Sequence, residues 1–306
     1  MNTNNDDRDR QSDIISSVKN LEQESTRLAT KTTDKLDELQ SELANAFSHV
    51  MQTQALTTIT CEALSNKLVE TLFNIDTERT RVAKSLRLLD SLHFGSMNMR
   101  LSDVKEQHAE TFQWIFKRTQ DGTDRQPKFL DWLESMNGIY WVAGKAGSGK
   151  STLMKYLWHH RSTQNSLQAW AGSQRLLMAH HFFWNAGNDT LQMSQVGLVR
   201  SLLYQVLRQC PELIVPVCTE PSDIDDRLDD WNLAKLLKAF ERLANQTLMP
   251  IKICLFVDGL DEYDGNHAEI CRVFKDSASS KSIKCCISSR PWNVFENAFG
   301  GDEERK

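Results

Sequence analysis

The stretch Ile139–Tyr156, IYWVAGKAGSGKSTLMKY, constrains this chain more than any other. Residues Ile139–Ala143 favour a strand, a glycine-rich turn follows, and a helical pattern begins near Lys150. Gly144, Gly149, Lys150 and Ser151 complete the spacing G-x-x-x-x-G-K-S/T in the strand–turn–helix setting that it requires. Glycines let such a turn curl until its N–H groups converge on one anion-sized hollow, and the helix adds its positive dipole end. Gly144, Lys145, Ala146, Gly147, Ser148, Gly149, Lys150, Ser151 and Thr152 are therefore the expected phosphate cradle. Lys150 is expected on the β- and γ-phosphates, the Ser151 hydroxyl on Mg²⁺, and Thr152 beside the α-phosphate. The alternative is a turn that binds nothing, which leaves the complete spacing unexplained.

Composition narrows the rest. A chain of 306 residues has room for about two domains. A net charge of −5 and a pI near 5.9 oppose a general nucleic-acid binder, which carries a basic excess. No apolar run approaches the roughly 20 residues of a membrane span, and the polar N-terminus has no signal-peptide core. Cys61, Cys210, Cys218, Cys254, Cys271, Cys285 and Cys286 lie mostly in apolar runs without C-x-x-C spacing. They are expected to be buried free thiols in a reducing, cytoplasmic setting.

Residues 1–94 contain neither glycine nor proline, and every tryptophan lies at or beyond Trp114. The first part is read as helical, with a first seam at Val18, Leu21, Ser25 and Leu28, resumed at Leu36, Leu39, Leu43, Ala46 and Val50. A second seam runs through Leu64, Leu68, Leu72, Ile75, Arg79, Val82, Leu86 and Leu89. Steps of three and four suit a coiled coil or bundle, although the phase breaks between Leu28 and Leu36. An oligomerisation or partner-binding arm and a hairpin folded on itself both satisfy the pattern. His93–Arg100 is the expected linker, Asp103–Phe116 a short helix, and the aromatics Phe112–Phe116 and Phe129–Leu133 core rather than a base pocket.

Beyond the cradle, a helix to about Arg161, a polar loop to Gly172 and a strand Leu176–Trp184 are expected. His159–His160 and His180–His181 invite a metal reading, but strand neighbours face opposite sides and no acidic or thiol partners lie near. A helix Gln195–Gln209, an acidic loop Glu220–Asp230 and a helix Trp231–Leu248 follow. Lys252–Asp258 is a buried strand ending on an acid, at the carboxyl edge where parallel sheets bind ligands. Asp258 is the expected Mg²⁺ acid, and Asp261 and Glu262 stand where a carboxylate can orient water. The other reading of these acids is a favourable helix N-terminus. A last strand, Ser282–Ser288, leads to Arg290, which can serve a γ-phosphate and which Pro291 keeps extended.

Taken together, GKAGSGKST, HFFW, LVRSLLYQVL, FVDGLDEY and SSRPW resemble fungal NACHT-domain proteins, whose nucleotide domain is also called nephrocystin-3-like. These are P-loop NTPases of the STAND class, related to NOD-like receptors. The resemblance covers roughly Ser91–Phe299 and implies an α/β fold, a three-layer sandwich around a parallel sheet, here preceded by an all-α region. Added to the composition shift after residue 94, it gives the expected division 1–94 helical and coiled-coil region, 95–110 linker, and 111–306 NACHT-type P-loop NTPase domain. It implies Lys150 and Ser151 on phosphate and Mg²⁺, Asp258 on the metal, Asp261 or Glu262 on water, and Arg290 as γ-phosphate sensor. The family continues into a further strand, a winged helix and repeats; the sequence ends at GGDEERK and no repeat period is present, so a C-terminally truncated or short form is expected. Without the further strand, Ile139–Ala143 would be a sheet edge.

The expected function is an ATP/ADP switch with slow Mg²⁺-dependent hydrolysis, in non-self recognition or cell death. GTP is not excluded; adenine is the default because N-K-x-D is absent. Self-association through the helical region and the NTPase domain, and an unidentified effector, are the expected partners. A free-running nucleoside triphosphatase and a helical scaffold with a structural nucleotide site are the alternatives.

Overall fold

The computed structural model describes residues 38, 41–45, 58–105, 112–116, 129–185, 189–219 and 231–301. Compactness divides the chain between Thr80 and Arg81. Within the N-terminal unit the described residues are helical, and α1 (Thr58–Leu92) runs through the seam expected from Leu64 onward. Leu68, Leu72 and Ile75 are exposed on it. The seam before Leu43, and most of that around it, lies outside the described residues, as does the acidic loop Glu220–Asp230.

In the α/β unit, four strands form one parallel sheet in the order β1-β4-β3-β2. These are β1 (Gly138–Ala143), β2 (Arg175–Phe182), β3 (Ile251–Asp258) and β4 (Ile283–Ser289). Their runs of aromatic and branched residues suit a sheet covered on both sides. Strand alternation splits those residues between two cores. Trp141, Leu255 and Cys285 face the core built by α6 (Gln195–Gln209), α7 (Ile214–Cys218), α8 (Leu233–Asn245), α9 (His267–Ala278) and α10 (Asn293–Phe299). Tyr140, Phe256 and Cys286 face the other, built by α3 (Phe129–Glu134), α4 (Lys150–His159) and α5 (Arg161–Ala171). The result is the α/β/α sandwich with a wholly parallel sheet. Among the described residues β1 is an outer strand, bonded only to β4, with Phe299 of α10 packed beside Trp141.

Several boundaries differ from expectation. The polar loop expected up to Gly172 is instead helix α5. Two of its four buried side chains are hydroxyls, Thr163 and Ser166, so its inward stripe carries little apolar signal. The helix expected over Asp103–Phe116 differs where it is described: α2 (Met99–Asp103) stops at an extended Val104 and a single 3₁₀ turn covers Gln113–Phe116, while residues 106–111 lie outside the described residues. Ile115, Phe129, Trp132 and Leu133 are core, as expected, whereas Trp114 is exposed.

The last turns of α1 belong to the sandwich. Leu88 and Leu92 are fully buried in its first core, displacing the stripe from the exposed Leu86. Arg200 of α6 caps this helix end, donating to the carbonyls of Ser91 (2.9 Å), Leu92 (3.2 Å) and His93 (3.0 Å). Here a cationic side chain meets unsatisfied helix C-terminal carbonyls. No described helix is long and apolar enough to cross a membrane.

Candidate functional site

The strand register sets the site. Ala143 pairs with Ser289, and Val257 with Ile287, so the carboxyl ends of β1, β4 and β3 finish side by side. The chain leaves β1 through Gly144, whose N–H donates to the Ser289 carbonyl (3.2 Å). A side chain at Gly144 would collide with Ser148 Oγ at 2.6 Å, and Gly147 and Gly149 are left-handed at φ 73° and 86°. Gly147 and Gly149 thus adopt backbone that favours glycine, while at Gly144 a side chain would need the Ser148 hydroxyl to rotate away. Gly149 is the N-cap of α4 and offers no side-chain cap, leaving the first N–H groups of that helix for another acceptor. Lys150 Nζ folds over the loop onto the Gly144 and Lys145 carbonyls (2.7 and 3.0 Å).

Asp258 ends β3 and is essentially inaccessible. Its Oδ1 accepts from the Ser288 hydroxyl (2.5 Å), which itself accepts the Gly259 N–H (2.9 Å). Its Oδ2, equally buried, has no hydrogen-bond partner. Burial pushes the Asp258 pKa up; the adjacent Ser151 and Ser288 hydroxyls oppose this, the Glu262 charge adds to it, and the Arg100 charge relieves it. A buried carboxylate oxygen without a partner, next to the Ser151 hydroxyl, is a donor pair suited to a hard divalent cation. The residues present fit a Mg²⁺ ion held by Ser151 and Asp258.

The two further acids are separated by the fold. Asp261, with only 4% of its side chain exposed, pairs through Oδ2 with Arg290 Nε at 2.8 Å, and its Oδ1 accepts the Arg290 N–H at 2.9 Å. Glu262 Oε2 accepts the Asn185 N–H (3.0 Å), at the exit of β2. Ser288, Ser289 and Asn185 escaped the sequence reading, because single polar residues at strand ends carry no spacing signal.

The paired histidines sit on opposite faces of β2. His180 packs edge-on against Trp158, and His181 Nδ1 lies 3.1 Å from Ser201 Oγ. Burial drives their pKa values down to about 3 and about 4, so both are neutral at pH 7. No group of three or more His, Cys, Asp or Glu arranged for a metal occurs among the described residues. Cys210, Cys218, Cys254, Cys271, Cys285 and Cys286 are free and buried.

Residues 110–290, more than half of the chain, match the family model Nephrocystin 3, N-terminal. No match was found among curated proteins or among solved structures.

Proposed function

The chain belongs to the nephrocystin-3 N-terminal family, and from that premise we propose that it binds ATP or ADP with Mg²⁺ and acts as a slow signalling switch. The observation that carries this reading is the buried Asp258 Oδ2, unpartnered beside Ser151 at the sheet edge where the glycine loop opens. Phosphates are held by the loop N–H groups, the uncapped start of α4 and Lys150, the last swinging off its carbonyls. When bound, Mg²⁺ neutralises developing phosphate charge. Ser151 and Asp258 hold it in place.

Slow turnover is favoured over free-running hydrolysis because neither acid is idle. Asp261 is committed to Arg290, and Glu262 shares its carboxylate with Asn185. Glu262 is then the residue that orients water, and only when its hold on Asn185 loosens. The assignment to NACHT-type STAND switches of the NOD-like-receptor class, acting in fungal non-self recognition or cell death, rests on the motif resemblance. So does assembly with further copies and an effector.

Nucleotide at about 100 times Kd should stabilise the fold by roughly 2.7 kcal/mol. Calorimetric and thermal-shift titration of wild type and Lys150→Ala with Mg–ATP tests this. Equal responses would refute nucleotide binding at this loop, while rapid multiple turnover would favour a free-running triphosphatase.

A further inference from the structure

Arg100 lies ahead of the matched residues and outside every motif considered above. Its position is nonetheless tightly determined. The turn that precedes α2 is pinned by Gln192, whose Nε2 donates to the Ser96 carbonyl (2.5 Å), and by a Ser96–Asp189 hydrogen bond. The residue that follows α2 is pinned to the loop-bearing helix itself, Lys155 Nζ of α4 donating to the Val104 carbonyl (2.7 Å). Between these anchors the Arg100 guanidinium lies over the Trp184 ring, 5.6 Å from its centroid. Trp184 immediately precedes Asn185, the residue bound to Glu262. Arg100 Nε is buried without a hydrogen-bond partner, while Nη1 forms an ion pair with Asp103 at 3.6 Å. A buried guanidinium N–H with no acceptor is costly to leave unpaired.

We propose that Arg100 is a phosphate-binding residue of the nucleotide site, contacting the terminal phosphate of the triphosphate from the segment that precedes the loop strand. Phe183, the residue before Trp184, donates its N–H to the Asp258 carbonyl (3.0 Å), so the ring beneath Arg100 stands at the metal-acid end of the sheet. The other arginine at this edge, Arg290, already spends its Nε on Asp261, whereas the Nε of Arg100 is uncommitted. An aromatic platform and a planar fork are the arrangement by which arginine recognises phosphate.

The inference rests on nucleotide binding as proposed above, and its test separates the two. The full chain is titrated with Mg²⁺–β,γ-imido-ATP and with Mg–ADP, as wild type, Arg100→Gln, Arg100→Lys and Lys150→Ala. Arg100→Gln should weaken the triphosphate analogue about tenfold or more and change ADP by less than about twofold. Arg100→Lys, which keeps the charge but not the fork, should lower the analogue-to-ADP affinity ratio by a smaller factor, and it serves if the glutamine variant does not fold. An unchanged ratio in both variants, or an equal loss for both nucleotides, overturns the assignment of Arg100 while Lys150→Ala still loses binding. Undiminished binding by Lys150→Ala overturns the nucleotide site and this inference with it.

Discussion

Arg290 holds Asp261 by two groups at once, its Nε 2.8 Å from Oδ2 and its N–H 2.9 Å from Oδ1, so the end of β4 is clasped to the turn after β3. That clasp divides labour between two acids adjacent in sequence. Glu262→Gln should spare nucleotide binding and slow single-turnover hydrolysis. Asp261→Asn should instead act through Arg290, lowering triphosphate affinity and, by loosening the clasp of a 4%-exposed carboxylate, costing about 1–3 kcal/mol of stability. Wild-type hydrolysis by Glu262→Gln alongside a hydrolysis-dead Asp261→Asn would reverse the two roles.

Asp258 trades stability for function. Its pKa is raised by burial, so the folded state holds its proton where the unfolded chain has released it. Stability therefore falls as pH rises from the unfolded carboxyl value through the folded one, and above that the full cost of the buried charge is present. Asp258→Asn should raise the melting temperature of the nucleotide-free protein at pH 7 and abolish the Mg²⁺ dependence of nucleotide binding. A destabilised variant that keeps its Mg²⁺ response would contradict both halves.

Lys284 is a buried amine on β4, donating from Nζ to the Trp132 (2.5 Å) and Leu133 (2.9 Å) carbonyls at the end of α3. Burial lowers its pKa to about 7, with the Lys252 charge adding to the effect. Between about pH 7 and the ordinary lysine value the unfolded chain holds a proton that the folded one has lost, so this residue adds stability as pH rises. Relative to Lys284→Met, wild type should gain up to about 1.4 kcal/mol per pH unit above pH 7. Denaturant titrations of both proteins at pH 6, 7, 8 and 9 measure it, and parallel pH profiles would exclude it.

Limited proteolysis addresses the N-terminal boundary. Gly95 supplies the first glycine, yet Phe94 and Met97 are buried and the turn is anchored by Gln192. First cuts should fall before Arg81, leaving Phe94–Val104 attached to the sandwich. First cuts at Gly95–Leu101 would mean that this anchoring is transient.

By itself the sequence determined the strand–turn–helix around Lys150, the acid at the end of β3 and the sandwich class. Each is written in local pattern: glycine where only left-handed backbone closes a turn, and unbroken apolar runs where a strand is covered on both faces. It did not determine α5, whose buried face is half hydroxyl, nor the stop of α2 at Val104. Tertiary structure alone decided that β4 lies between β1 and β3, and hence that Ser288 meets Asp258 and Arg290 meets Asp261 across 30 and 29 residues of chain. It also decided that Arg100 stands over Trp184. Such meetings depend on strand order and register, which arise from packing distant segments around one core and leave no periodicity in the residues that take part.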